Sequence, residues 1–209
     1  MAELDLTNIS AASIATPSAG VTALFVDTDR SCKRKTDTGY VNSYQNAIST
    51  ASQNMAAASR TYLNGSNIKV GSIKLQQGSM FRWRFNMTKT AAGIASSVFD
   101  IAVGVAGTIA DTARCSFTKP AGTAVADEAW VGINAIVRAS GLNGILVAEF
   151  VLMHNLSATG HAPVPCVVLN SVSAPFDMTV ANLNLGICVT PGASDNLTFQ
   201  MVMSEVWDV

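Results

Sequence analysis

From Phe81 onward, apolar residues recur at every second position of the chain. Phe81, Trp83, Phe85 and Met87 alternate with Arg82, Arg84, Asn86 and Thr88. A strand sends successive side chains to opposite faces, so this run predicts a sheet with one buried and one wet side. Phe99, Ile101, Val103 and Val105 repeat the pattern, and Cys115 and Phe117 do so briefly. Val131, Ile133, Ala135 and Val137 share one side of a longer run over residues 130–138. Gly141-Leu142-Asn143-Gly144 is strong turn chemistry and predicts an antiparallel hairpin with the run over 145–154. Further strands are predicted over 164–169, 176–180, 185–189 and 197–207, the last alternating through Leu197, Phe199, Met201 and Met203. Pro and Gly punctuate the gaps, and neither a long helical period nor an internal repeat is present. About eight or nine short strands in one domain predict an all-β fold, a jelly-roll-like antiparallel β-sandwich.

The chain divides near residue 60. Residues 60–209 carry the sandwich pattern, and residues 1–59 form an arm, a hairpin and a linker. Residues 1–20 are rich in Ala, Ser and Thr without periodicity, which predicts an extended arm. Val21-Thr22-Ala23-Leu24-Phe25-Val26 is strand-like, Asp27-Thr28-Asp29-Arg30 is turn chemistry, and the chain returns through Ser31 to Lys35. Thr36-Asp37-Thr38-Gly39 makes a second turn into Tyr40-Val41. Residues 42–59 are polar and Ala-rich, and are expected to be a linker with a helical turn from Tyr44 onward.

Only 13% of the residues are charged and the mean hydropathy is +0.31. An ordinary soluble domain carries roughly 25% charge. A free monomer needs surface charge to stay dispersed, so this composition predicts that much of the surface is covered by partners, including other copies of the chain. The run over 145–154 agrees. Leu146, Ala148, Phe150 and Leu152 share one face, yet Val147 and Val151 flank Glu149 on the other. Both faces are therefore apolar, one for the core and one for a neighbour.

A net charge of −1 argues against nucleic-acid binding, which rests on phosphate neutralisation by many Lys and Arg. No apolar run reaches the roughly 20 residues of a membrane-spanning helix. The opening Met1-Ala2-Glu3-Leu4-Asp5 lacks the basic start of a secretory signal. Cys32, Cys115, Cys166 and Cys188 form no Cys-x-x-Cys pair and are expected to be reduced, buried small hydrophobes, as in a reducing cytoplasm.

The search for catalytic chemistry assigns no catalytic, cofactor-binding or metal-binding residue. His161 and Cys166 are five apart across a Pro-rich loop, which reads as a loop histidine and a core cysteine. With His154 they do not match zinc spacings. Asp27-Thr28-Asp29 opens like a calcium loop but lacks the later ligands and Gly. Asp127 and Glu128 are adjacent just before a strand and would face opposite ways, which does not suit a paired-carboxylate hydrolase. Trp83, Trp130 and Trp207 lie in strands and are expected in the core or an interface. The densest charge is Arg30, Lys33, Arg34 and Lys35, diluted by Asp27, Asp29 and Asp37. It reads as a solvated hairpin or as a foot that grips an acidic or phosphate-bearing surface, nucleic acid being the weaker version.

The stretch Ala15-Thr16-Pro17-Ser18-Ala19-Gly20-Val21-Thr22-Ala23-Leu24-Phe25-Val26-Asp27-Thr28-Asp29, followed by charged residues and Thr38-Gly39-Tyr40-Val41, resembles an N-terminal hairpin common in tailed-bacteriophage virion proteins. Arg30 stands where that pattern has Gly. The remainder, from Tyr62-Leu63 through Met87-Thr88-Lys89-Thr90-Ala91-Ala92-Gly93 onward, is similar to the sandwich of phage capsid decoration (cement) and head-fibre proteins. The resemblance implies a homotrimer, made in the host cytoplasm, that binds between major capsid proteins on the virion surface and has no catalytic residue. Capsid contact is expected at Arg30, Lys33, Arg34 and Lys35. The alternatives are a head-fibre or tail-fibre component that binds a host glycan, and a sandwich-type glycan depolymerase or esterase.

Overall fold

The computed structural model describes residues 10–26, 32–35, 41–43, 45–55, 58–71, 75–193 and 195–207. Among the described residues, a 3-10 turn (Ala11–Ser13) precedes fifteen strands. These are β1 (Ala23–Val26), β2 (Cys32–Lys35), β3 (Val41–Ser43), β4 (Gln45–Ser49), β5 (Gln53–Met55), β6 (Thr61–Tyr62), β7 (Ile68–Gly71) and β8 (Met80–Lys89). They continue with β9 (Ser97–Gly104), β10 (Thr112–Lys119), β11 (Asp127–Ala139), β12 (Ile145–His154), β13 (Cys166–Val172), β14 (Leu183–Thr190) and β15 (Leu197–Trp207). Two antiparallel sheets pack against each other, as the alternation predicts. The larger has seven strands in the order β13-β12-β11-β8-β15-β4, with β5 also on β15. The smaller has five, β10-β9-β14-β6, with β7 also on β14. The predicted N-terminal hairpin forms a separate three-stranded sheet, β1-β2-β3.

The core follows from the alternation. Phe81, Trp83, Phe85 and Met87 of β8 all point inward, as do Val131, Ile133, Ala135 and Val137 of β11 and Leu146, Ala148, Phe150 and Leu152 of β12. A chain of phenylalanines crosses between the sheets. Phe117 meets Phe150 at 5.7 Å, Phe150 meets Phe99 at 5.0 Å, and Phe99 meets Phe199 at 6.3 Å between ring centroids. Each such pair adds about 0.5–1.5 kcal/mol beyond its buried area. The indole of Trp83 donates to Ser66 O at 2.7 Å, which draws the loop before β7 under the larger sheet.

Several sequence expectations are corrected. Residues 45–49 and 53–55 are edge strands on β15, not a linker with a helical turn, and they lie before the boundary expected at residue 60. Their hydrogen bonds come from the backbone, so a polar sequence suffices at a sheet edge. Residues 176–180 form no strand. Only Phe176 bridges, to Gly144, and Asp177 then caps a turn by accepting from Thr179 N and Oγ1 at 2.8 and 2.6 Å. β9 ends at Gly104, and Val105 is exposed rather than inward. Asp127 and Glu128 open β11 instead of preceding it. Cys115 and Cys188 are buried as expected, but Cys166 is exposed.

The largest correction lies in β15. Its register against β8 shifts between Gln200 and Met203, and Met201 has a φ of +52°. This is a β-bulge, an extra residue that reverses which side chains face the core. Leu197 and Phe199 point inward before it, and Val202, Ser204 and Val206 after it. Met201, expected in the core, is 51% exposed.

Candidate functional site

Two places on the described structure gather chemistry. One is a buried polar cluster at the end of the sandwich where β8, β10 and β12 finish and β11 begins. Asp127 Oδ2 lies 2.7 Å from His154 Nδ1 and accepts from His161 N at 3.0 Å, while its Oδ1 accepts from Glu128 N at 2.8 Å. His154 Nε2 lies 2.6 Å from Val164 O. A carbonyl oxygen only accepts, so that nitrogen carries a hydrogen. The other ring nitrogen, Nδ1, shares its hydrogen bond with the Asp127 carboxylate, so both ring nitrogens are held. Burial opposes the Asp127 charge, but the backbone donors at His161 and Glu128, the His154 bond and the His161 ring together hold its pKa below the usual value. Lys119 Nζ donates to Pro120 O and His161 O at 2.7 and 2.6 Å. Burial pushes its pKa down to about 8, with Asp195 opposing and Lys89 assisting. Lys89 Nζ holds Gly93 O at 2.9 Å and Thr123 O at 2.5 Å.

This cluster brings together residues that the sequence offers only singly. His154 is the cross-strand partner of Ala129, two residues after Asp127, at the open end of the β11–β12 hairpin, and the following loop returns His161 to the same carboxylate. Asp127 and Glu128 do face opposite ways. Glu128 is exposed and accepts from Asn86 Nδ2 at 2.7 Å. His161 and Cys166 are not joined. Cys166 is exposed opposite Met153, whereas both ring nitrogens of buried His161 lack a hydrogen-bond partner. His154 has both nitrogens engaged and no lone pair to offer a substrate. The arrangement pins loops together; as a catalytic base it is closed. Among the described residues, no group of three or more His, Cys, Asp or Glu could hold a metal ion.

The other place is the outer face of the seven-stranded sheet, where registers line up three rows of outward side chains. Met80, Ile136, Val147 and Val172 make one apolar row across β8, β11, β12 and β13. The next row is polar: Glu205, Arg82, Asn134, Glu149 and Asn170. It is laced by Arg82 Nε to Asn134 Oδ1 at 3.3 Å, Asn134 Nδ2 to Glu149 Oε2 at 3.4 Å, and an Arg82–Glu205 ion pair at 3.8 Å. The third row runs Ile48, Met203, Arg84, Gly132, Val151 and Val168, with Trp130 and Met153 beside it. Trp130 is 42% exposed and Met153 is 56% exposed. A Cβ at Gly132 would touch nothing within 4 Å, and this gap opens a cleft of about 440 Å³ between Arg84, Trp130, Val151 and Met153. A smaller cleft of about 330 Å³ lies between Met80, Ile136, Val147 and Glu149.

Trp83 is thus in the core and Trp130 on the open face; Trp207 closes β15, and its side chain lies outside the described residues. Of the expected contact cluster, Arg30 lies outside the described residues. Lys33 and Arg34 sit in β2 at register positions opposite Phe25 and Leu24. Lys35 donates to Ile14 O, tying the arm to the hairpin, and Leu24 on the neighbouring strand is 80% exposed. A comparison with protein-family models and with curated protein sequences finds no match to this chain.

Proposed function

We propose that this chain is a virion structural subunit, a decoration or cement protein that binds an assembled phage capsid as a homotrimer and stabilises the shell. The observation that carries the reading is the outer face of the seven-stranded sheet, where two apolar rows lie open on either side of a polar ladder. The low charge of the chain and the resemblance of its N-terminal hairpin to tailed-phage virion proteins support the same reading. The arm and hairpin, with exposed Leu24 and the cluster Arg30, Lys33, Arg34 and Lys35, make the contact with the major capsid protein. A ligand that binds the assembled lattice and not free subunits stabilises the lattice by mass action. Three linked feet bind as one, which raises avidity without a new contact. The test uses heads assembled from the encoding phage genome without this chain. Full-length protein binds them and raises their disruption temperature, and a variant lacking residues 1–41 does not bind. Equal binding by the truncated protein removes the hairpin from the contact, and no binding by the full chain ends the reading.

One observation favours a second reading. Trp130 stands half-exposed beside the open position at Gly132, with Arg84 and Asn134 alongside. An aromatic face flanked by such donors suits a sugar ring, as in a fibre component that binds a host glycan. Binding to a host-surface oligosaccharide that is lost in Trp130→Ala supports it; an empty glycan array removes it.

A further inference from the structure

We infer that the outer face of the seven-stranded sheet is covered by a second copy of this chain, with the β8 side of one copy against the β12 side of the next. The inference takes only the number of copies from the function proposed above. Three observations carry it.

The first is size. The six strands side by side, at about 4.8 Å spacing and with outward residues about 7 Å apart, give a face roughly 25 Å by 20 Å. Such a face spans about 500 Å² in projection, more than half of the roughly 800 Å² per partner of a standard stable interface. A monosaccharide occupies a small part of it.

The second is the charge pattern. Between Trp130 and Ile136 the outward positions of β11 carry no charge. On one side of that neutral strip β8 presents Arg82 and Arg84; on the other β12 presents Glu149. Glu205 pairs with Arg82, but exposed Arg84 has no hydrogen bond or ion pair among the described residues. The face is therefore unlike itself left to right, and the Arg side of one copy is the complement of the Glu side of another. Where one half of the face meets only the unlike half of the next copy, the contact is heterologous and closes into a ring when the rotation permits, each copy sharing its face between two neighbours.

The third is Gly132. A glycine at the centre of a long strand weakens it and marks a close approach by something else. Here its Cβ direction is open space, bordered by apolar Val151, Trp130 and Met153. A side chain from a neighbouring copy fits that gap.

The test reads mass in solution by light scattering, at fixed concentration and salt. Wild type is an oligomer. Arg84→Glu and Glu149→Arg each lower the oligomer fraction at least tenfold, and the double reversal restores it. Gly132→Arg, which fills open space in the monomer and so leaves the melting temperature unchanged, also gives monomers. A wild-type monomer, or an oligomer that none of these variants changes, overturns the inference. A soluble oligosaccharide that protects Trp130 from oxidation with no change in mass overturns it as well. The same variants are assayed on the undecorated heads. A monomer that binds heads leaves the capsid reading standing without this contact, and an oligomer broken by the variants that ignores heads leaves this contact standing without the capsid reading.

Discussion

Asp127 is the residue on which one end of the sandwich turns, because one carboxylate serves His154, the His161 amide and the Glu128 amide. Asp127→Asn replaces one of the two carboxylate oxygens by an NH2 donor, so a buried partner of the carboxylate is left without its acceptor. The expected loss is about 1–3 kcal/mol, the cost of an unsatisfied buried polar group, read from urea unfolding at neutral pH. His161, beside it, gives a second expectation. Burial lowers its pKa from 6.5 to about 4, with Asp127 opposing and the Lys119, Lys89 and His154 charges assisting. The folded state thus takes up this proton later than the unfolded chain. Stability is full above pH 6.5 and falls as pH drops from 6.5 to about 4. The total loss is about 3 kcal/mol. The neutral variant His161→Leu flattens the stability-against-pH curve in that window; an unchanged slope assigns the acid sensitivity to another group. At the opposite end of β9, Asp111 accepts from Ala106 N and Gly107 N at 3.0 and 2.8 Å. Asp111→Ala leaves both amides without that partner and costs about 1–3 kcal/mol by denaturant unfolding.

At the scale of the element, β15 decides the most. It is the strand that β8, β4 and β5 all pair with, and its bulge at Met201 sets which of its later residues reach the core. Leu197, Phe199, Val202, Ser204 and Val206 face inward, so one extra residue lies between Phe199 and Val202. Deletion of Met201 removes the bulge, leaves those side chains at every second position and makes the register with β8 regular. Its expected cost is therefore within about 1 kcal/mol by thermal melting, as for a change that loses no buried side chain. Met201→Gly keeps the extra residue and accepts a φ of +52° without strain, so its stability also stays within about 1 kcal/mol of wild type. A loss above about 3 kcal/mol on deletion, the size of several lost core contacts, shows instead that the strand beyond Met201 cannot follow β8 without the bulge.

The molecule as a whole is a sandwich with a separate small sheet before it. Strands β1 to β3 share no ladder with either large sheet. A chain starting at residue 45 keeps every strand of both sheets. It is expected to melt cooperatively within about 3 °C of the full chain, a shift of about 1 kcal/mol or less. A fall much larger than that makes the hairpin part of the folding unit and reassigns the loss of head binding in the truncated protein to unfolding. The comparison separates a foot that grips from a prop that supports.

Strand positions and their inward residues were legible because a period of two is local. Phe81 to Met87, Val131 to Val137 and Leu146 to Leu152 announce both the strand and the side that is buried. Residues 45–55 were not legible, since an edge strand that adds through its backbone needs no apolar signature. The break at Met201 was hidden because Met201 and Met203 continue the apolar period that the bulge interrupts. Asp127, His154 and His161 could not be joined from spacing alone; a hairpin register and a loop return bring them together. The sequence by itself determined that this is a β-sandwich with strands apolar on both sides, because alternation belongs to the chain. Which of those sides stays open, and which charges are shut inside, was decided only by tertiary structure. Burial is a property of what packs on top, and no strand carries that information alone.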